Sequence, residues 1–295
     1  MINAANLRKR LLFAAWAIPV GWWLINSTMS LMPKSLCIVL PGQIASVFLI
    51  VTACYEYIKM LSASFPKNGF WLSYLWIIPF LCLELIGQPV PMKFVIFLLL
   101  MTVAFEAIFW GEKNSGKWKR ASLLFSAMVF LYIAGTSLLN FYQEPFQSFF
   151  KHYQNPMISQ MGIVSVFLSV FLCDSGAYFV GCLWGKHKYS TISPNKTIEG
   201  SIGGFFCAFV TCIICWHYLG NPAYPKAFGI FMGLFTGISA QAGDLLVSII
   251  KRYFKVKDAS DLIPGHGGVL DRFGSVFFTA PTLGLLIWIV NKIIQ

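Results

Sequence analysis

Between Ser248 and Ser275 the chain reads SIIKRYFKVKDASDLIPGHGGVLDRFGS, and three of its five Asp residues, Asp258, Asp261 and Asp271, fall inside that stretch. A fourth, Asp244, lies four residues upstream. Asp244, Ser248 and Lys251 are spaced i, i+4, i+7, so on a helix an acid, a hydroxyl and an amine share one face. The bland account of that spacing is a polar stripe with Lys251 snorkelling to the membrane interface. Gly265, Gly267 and Gly268 allow close backbone approach, and their amides at the start of a helix would suit phosphate oxygens. Asp244 and Asp271 bracket this loop, and carboxylates beside bound phosphates are what Mg2+ takes as ligands. His266 is read as a loop residue bonded to backbone rather than as a metal ligand.

A second polar cluster runs from Asp174 to Gly200, DSGAYFVGCLWGKHKYSTISPNKTIEG. Asp174 stands in an apolar run, where an acid marks a functional position by default. The small residues Ser175, Gly176 and Ala177 let a helix or a ligand come close. Lys196 and Glu199 sit at the mouth of the next apolar run, where Ser193 or Asn195 is the expected helix cap and Glu199 suits the first turn.

The elements that must position these groups are membrane helices. The chain has 295 residues, 57% hydrophobic and only 11% charged, and its mean hydropathy is +0.70. Nine runs approach the ~20 apolar residues that a span requires, at 11–32, 36–58, 70–87, 93–111, 121–142, 160–184, 201–219, 227–250 and 271–291. The expected fold is therefore an all-α polytopic membrane protein with about nine transmembrane helices. With the N-terminus in the cytoplasm, 17 of the 22 basic residues fall on the cytoplasmic side, and only Lys34, Lys93, Lys151, Lys226 and Lys292 on the other. Such an excess of Lys and Arg is the mark of the inner face. The net charge of +11 is dispersed at the ends of apolar runs, which argues for lipid headgroups and phosphates and against nucleic acid. All eight cysteines lie in apolar segments, so neither a disulfide framework nor a zinc site is expected.

The first 173 residues hold no Asp and five Glu, at 56, 84, 106, 112 and 144. On that distribution, 1–160 is expected to be a transmembrane scaffold and lipid-contact region, and 161–295 the catalytic region. Glu84 and Glu106 are read as packing residues.

The pattern S-x-x-KR-x4-KD-x-SD-x-IPGHGG-x-x-DR, carried by Ser248, Lys251, Arg252, Lys257, Asp258, Pro264, Gly265, His266, Gly267, Gly268, Asp271 and Arg272, closely resembles the signature of the phosphatidate cytidylyltransferases. DSGAYFVG, SPNKTIEG and Gly243-Asp244 extend the resemblance over roughly 170–290. It implies a multi-pass enzyme that makes CDP-diacylglycerol and pyrophosphate from CTP and phosphatidic acid at a bacterial inner membrane, with the active site facing the cytoplasm. It also implies a metal-centred core at Asp244, Lys251 and Asp271, with Mg2+ on the two acids and K+ as a candidate second ion. Asp174, Asn195, Lys196 and Glu199 match family positions at the polar cavity; Ser248, Arg252, Lys257, Asp258, His266, Gly267, Gly268 and Arg272 complete the expected substrate-binding set. A homodimer is compatible with this reading.

Two departures stand out. The family usually has a second acid three residues after the DR aspartate, where this chain has Gly274, and a threonine where it has Ser175. Competing readings are a relative that activates another lipid phosphate with CTP, and a secondary transporter with Asp174 and Asp244 as coupling sites. The second lacks a clear inverted repeat.

Overall fold

The computed structural model describes residues 41–64, 78, 81, 116–142, 156–188, 193, 196–220, 225–263 and 267–294. Six long helices account for most of them: α1 (Pro41–Ser64), α2 (Gly116–Asn140), α3 (Pro156–Trp184), α4 (Ile198–Leu219), α5 (Ala227–Tyr253) and α6 (Val269–Ile294). All six are long and apolar enough to cross a membrane, and the chain is a multi-pass membrane protein. They correspond to the runs expected at 36–58, 121–142, 160–184, 201–219, 227–250 and 271–291. The other three, 11–32, 70–87 and 93–111, lie outside the described residues apart from 78 and 81. The six described cysteines are free. Large apolar side chains such as Phe179, Leu183, Ile202, Phe206 and Ile238 are exposed, as lipid-facing residues should be.

Two compact units are present, and both are discontinuous in sequence. The first contains α1, α2 and residues 253–272; the second contains α3, α4, α5 as far as Arg252, and α6 from Phe273. Residues 253–272, which belong to the expected catalytic region 161–295, thus cluster with helices of the expected scaffold region 1–160.

In the first unit, Tyr57 near the end of α1 donates its hydroxyl to the Leu123 carbonyl of α2 at 3.1 Å. Its ring meets Phe254 edge to face, with centroids 5.7 Å apart. The end of α1, the first turns of α2 and the segment after α5 therefore meet. These are the segments that the distribution of basic residues places on one side of the membrane.

The second unit is built on close backbone approach. Cys173, Ala177 and Gly181 recur every four residues on α3, and Gly200, Gly204 and Ala208 do so on α4, so each row forms one stripe. A side chain at Gly204 would put its Cβ 2.6 Å from the Cys173 carbonyl oxygen and 2.8 Å from the Ala177 Cβ. Gly176 and Ala177 thus lie where α4 comes near, one of the two roles expected of them, while Ser175 is exposed. Between helices in lipid, van der Waals contact of this kind replaces the hydrophobic drive available in water.

Replacing Gly204 by Val should destabilise the second unit by about 1–3 kcal/mol, since the neighbouring carbonyl belongs to a helix and cannot move aside. Thermal unfolding in lipid nanodiscs reads this directly, and an unchanged midpoint would contradict the packing.

Candidate active site

On α5 the sequence spacing is realised as a helical face. Gln241, Asp244, Ser248 and Lys251, separated by three, four and three residues, form one half-buried stripe beside the buried Gly243 and Val247. Asp244 lies well inside the helix, and its Oδ2 accepts from the Lys196 ammonium at 2.5 Å. This ion pair joins two of the sequence clusters, the one opening α4 and the one ending α5. Gln241, one turn before Asp244, donates its amide to the Ser201 carbonyl at 2.6 Å, and its Nε2 lies 4.0 Å from the Cys173 sulfur. It therefore links α5 to the start of α4 and to the α3 position next to Asp174, which is exposed.

The segment between α3 and α4 is closed at its base. Lys188 pairs with Thr197 in an isolated antiparallel bridge, and Ile198 N–H donates to the His187 carbonyl at 2.8 Å. Glu199 accepts from the Lys186 N–H at 3.1 Å, from the His187 N–H at 3.2 Å, and contacts His187 Nδ1 at 2.6 Å. Its carboxyl thus holds the chain leaving α3. The cap of α4 is Thr197, whose hydroxyl accepts from the Gly200 N–H at 3.1 Å. This corrects the expectation of Ser193 or Asn195: Thr197 stands immediately before the first helical residue, three positions from the amide it caps. Asn195 and Pro194 lie outside the described residues.

In the other unit, the chain leaves α5 through Lys255 in the left-handed conformation, φ 57°. This turns it into the loop that carries Lys257 and Asp258, both exposed. Ile263 N–H donates to the Gly267 carbonyl at 2.9 Å. Pro264, Gly265 and His266, between these two residues in sequence, lie outside the described residues. Gly267 has φ 83°, and a Cβ there would come 2.7 Å from Asp271 Oδ2, so conformation and space both require glycine. Asp271 Oδ2 accepts from the Gly268 and Ala259 N–H groups at 2.8 Å each. The next two amides of α6, on Val269 and Leu270, donate to Glu56. The phosphate nest expected of this loop is therefore not offered by Gly268, whose amide a carboxylate takes. Arg252 and Arg272 are exposed, and Ser248 and Lys251 half-buried.

No group of three or more His, Cys, Asp and Glu that could hold a metal occurs among the described residues. Mg2+ binds through one or two carboxylates completed by substrate phosphates and water rather than by a protein cage. Asp244 fits such a role: its side chain is 42% exposed, and it already holds a cation, the Lys196 ammonium.

Comparison with known proteins bears on what these groups serve. The model of the cytidylyltransferase family matches residues 9–290, almost the whole chain. The chain belongs to the cytidylyltransferase family. Similar proteins include the phosphatidate cytidylyltransferase of Staphylococcus aureus (strain COL), 44% identical over 128 residues, which cover 42% of this chain and 48% of that one. The phosphatidate cytidylyltransferase of Bacillus subtilis (strain 168) is 40% identical over 134 residues, covering 44% of this chain and 49% of that one. The matches thus span about half the length of these relatives.

For a cytidylyltransferase-family chain, two residues in the structure carry more weight than their sequence context suggested. Gln241 could have been found, since it extends the Asp244, Ser248, Lys251 stripe by one turn. Glu56 could not, because nothing near it in sequence announces a partner more than 200 positions away. Gly274, the departure from the resemblance, is buried against Val247: a Cβ at 274 would lie 2.5 Å from Val247 Cγ2. On the opposite helix, Gly243 packs against the Gly274 carbonyl and the Ser275 Cα, at 2.9 and 3.0 Å from where its Cβ would be. Position 274 thus serves helix contact in this chain.

Introducing the acid by Gly274→Asp should cost about 1–3 kcal/mol of stability, because valine in a helix has one strongly preferred rotamer and cannot turn its methyl away. The double variant Val247→Ala/Gly274→Asp should recover the steric part. Equal melting midpoints for Gly274→Asp and the parent would show that the site has room for the acid.

Proposed function

We propose that this family member is a CTP:phosphatidate cytidylyltransferase. The observation that carries the reading is the Lys196–Asp244 ion pair, which draws two motif segments, distant in sequence, into one polar site within a membrane helix bundle. The names of the staphylococcal and Bacillus relatives supply the substrate class.

A phosphate oxygen of phosphatidic acid forms a bond to the α-phosphorus of CTP. The bond from that phosphorus to the bridging oxygen breaks, and pyrophosphate leaves with the electron pair. The nucleophile is already anionic near neutral pH, so no strong general base is needed. Repulsion between the two anions is the main barrier, and positioned cations lower it. Lys251 stands on the same α5 face as Asp244, and Lys196 is held against that carboxylate, so both supply fixed positive charge. Arg252, next to Lys251, and Arg272, next to Asp271, are exposed cations. Asp244 and Asp271 are the proposed ligands of Mg2+, which when bound neutralises phosphate charge and orients in-line displacement. Ser248, Asp174, Asn195, Glu199, Lys257, Asp258, His266 and Gly267 complete the proposed substrate-binding set, with Glu199 acting by holding the loop before α4, while Gly268, expected in that set, is held between Asp271 and Glu56. K+ is a candidate second ion.

The site is proposed to face the cytoplasm, as is the N-terminus, in a bacterial inner membrane. The asymmetry of basic residues supports this. Phosphatidate then keeps its acyl chains in lipid while its headgroup reaches the α4–α5 polar face.

Purified protein in nanodiscs containing phosphatidic acid, given labelled CTP and Mg2+, should release labelled CDP-diacylglycerol; no product beside an active control enzyme would end this reading. Asp244→Asn should lower turnover at least about 100-fold, in the range of losses seen when one group stabilising transition-state charge is removed. Turnover within a few-fold of the parent would take Asp244 out of the site.

A further inference from the structure

Among the described residues, Glu56 is the one carboxylic acid with no exposed surface. It lies two turns before the end of α1, in the part of the chain expected to be scaffold. Burying such a group in an apolar unit costs several kcal/mol unless donors surround it. Three do so: the Ser260 hydroxyl donates to Oε1 at 2.5 Å, the Val269 N–H to Oε1 at 2.8 Å, and the Leu270 N–H to Oε2 at 2.8 Å.

The last two donors are the first two amides of α6. The opening amides of a helix have no partner within it, and the residue before the helix usually accepts one with its side chain. Here that residue is Gly268, which has no side chain to offer. It could not have one, because a Cβ there would stand 2.5 and 2.6 Å from the two Glu56 oxygens. The cap is supplied instead from α1. Asp271, the third residue of α6, folds back onto the Gly268 N–H and reaches across to the Ala259 N–H. Two carboxyl groups thus share the helix start: Glu56 holds the first two amides, and Asp271 the one before them. The Asp271 carboxyl is thus set on the same helix start that Glu56 caps.

We propose that Glu56 is a positioning residue for Asp271, orienting from α1 the acid that serves the metal-bearing nucleotide. The proposal rests on the proposed function for the role of Asp271. Ser260 belongs to the same device: its hydroxyl donates to Glu56 and accepts from the Leu262 N–H at 3.2 Å, which ties the loop to the same carboxyl.

Glu56→Gln keeps the shape but turns an acceptor oxygen into an NH2 donor facing another donor. The full-length parent and this variant, both in nanodiscs, are compared by Mn2+ binding, read from the electron paramagnetic resonance of free Mn2+ with and without CTP. Initial rates against Mg2+ and against phosphatidic acid are measured in parallel. The expected result is an approximately 10- to 100-fold weaker Mn2+ affinity, the range found when a group orienting a metal ligand is lost. Half-saturating Mg2+ should rise in step, with an unchanged KM for phosphatidic acid. A lower melting midpoint with equal Mn2+ affinity would make Glu56 a purely structural cap and overturn the proposal. Parent protein that binds Mn2+ but makes no product would remove the functional reading alone. If Glu56→Gln does not fold, Ser260→Ala, which takes away one of the three donors, should weaken Mn2+ binding about 3-fold in the same comparison, and no change would equally overturn the proposal.

Discussion

An apolar medium offers a polar group no partner, so burying one is costly unless another part of the chain answers it. This constraint decides which helices carry the site. Asp244 is answered by Lys196 and Gln241 by the Ser201 carbonyl, so the start of α4 is held against the last turns of α5. Glu56 is answered by Ser260 and the opening amides of α6. The same requirement that makes these residues costly gives them fixed positions, which the proposed reaction between two polyanions would need.

Close approach of backbones supplies the other half of that precision. The Gly and Ala stripes of α3 and α4 bring the main chains together, and Gly243 and Gly274 do the same where α5 meets α6. Each contact lies within a few residues of a group expected to act on substrate: Asp174 follows Cys173, Asp244 follows Gly243, and Asp271 precedes Gly274 by one turn of the same helix. Short, rigid contacts next to reactive side chains leave little freedom for those side chains to drift.

Much of this was legible in the sequence because it is written in local patterns. Apolar runs of membrane length marked six helices that the structure describes, and the three-and-four spacing of Asp244, Ser248 and Lys251 marked a shared face that α5 realises. The signature around Asp271 located the loop before α6. What escaped depends on contacts distant along the chain. The partner of Glu56 lies 204 to 214 positions later, and a single acid in an apolar run looks the same whether it faces lipid, another helix or the end of one. The cap at Thr197 was misplaced by two to four residues, since several residues before α4 have side chains able to cap, and only the backbone path selects among them. The grouping of 253–272 with the N-terminal helices is likewise a property of packing that no composition boundary records.

The span between Glu56 and its partners also has a consequence in time. A ribosome adding about 5–20 residues per second needs roughly 10–40 s to make the 204 residues that separate Glu56 from Ser260. Throughout that interval the three donors of Glu56 do not yet exist. The growing chain must shelter it near the headgroups, in the insertion machinery or against another helix. Glu56 acquires its full set of donors only once α6 has begun, so the start of a later helix completes the setting of an earlier one.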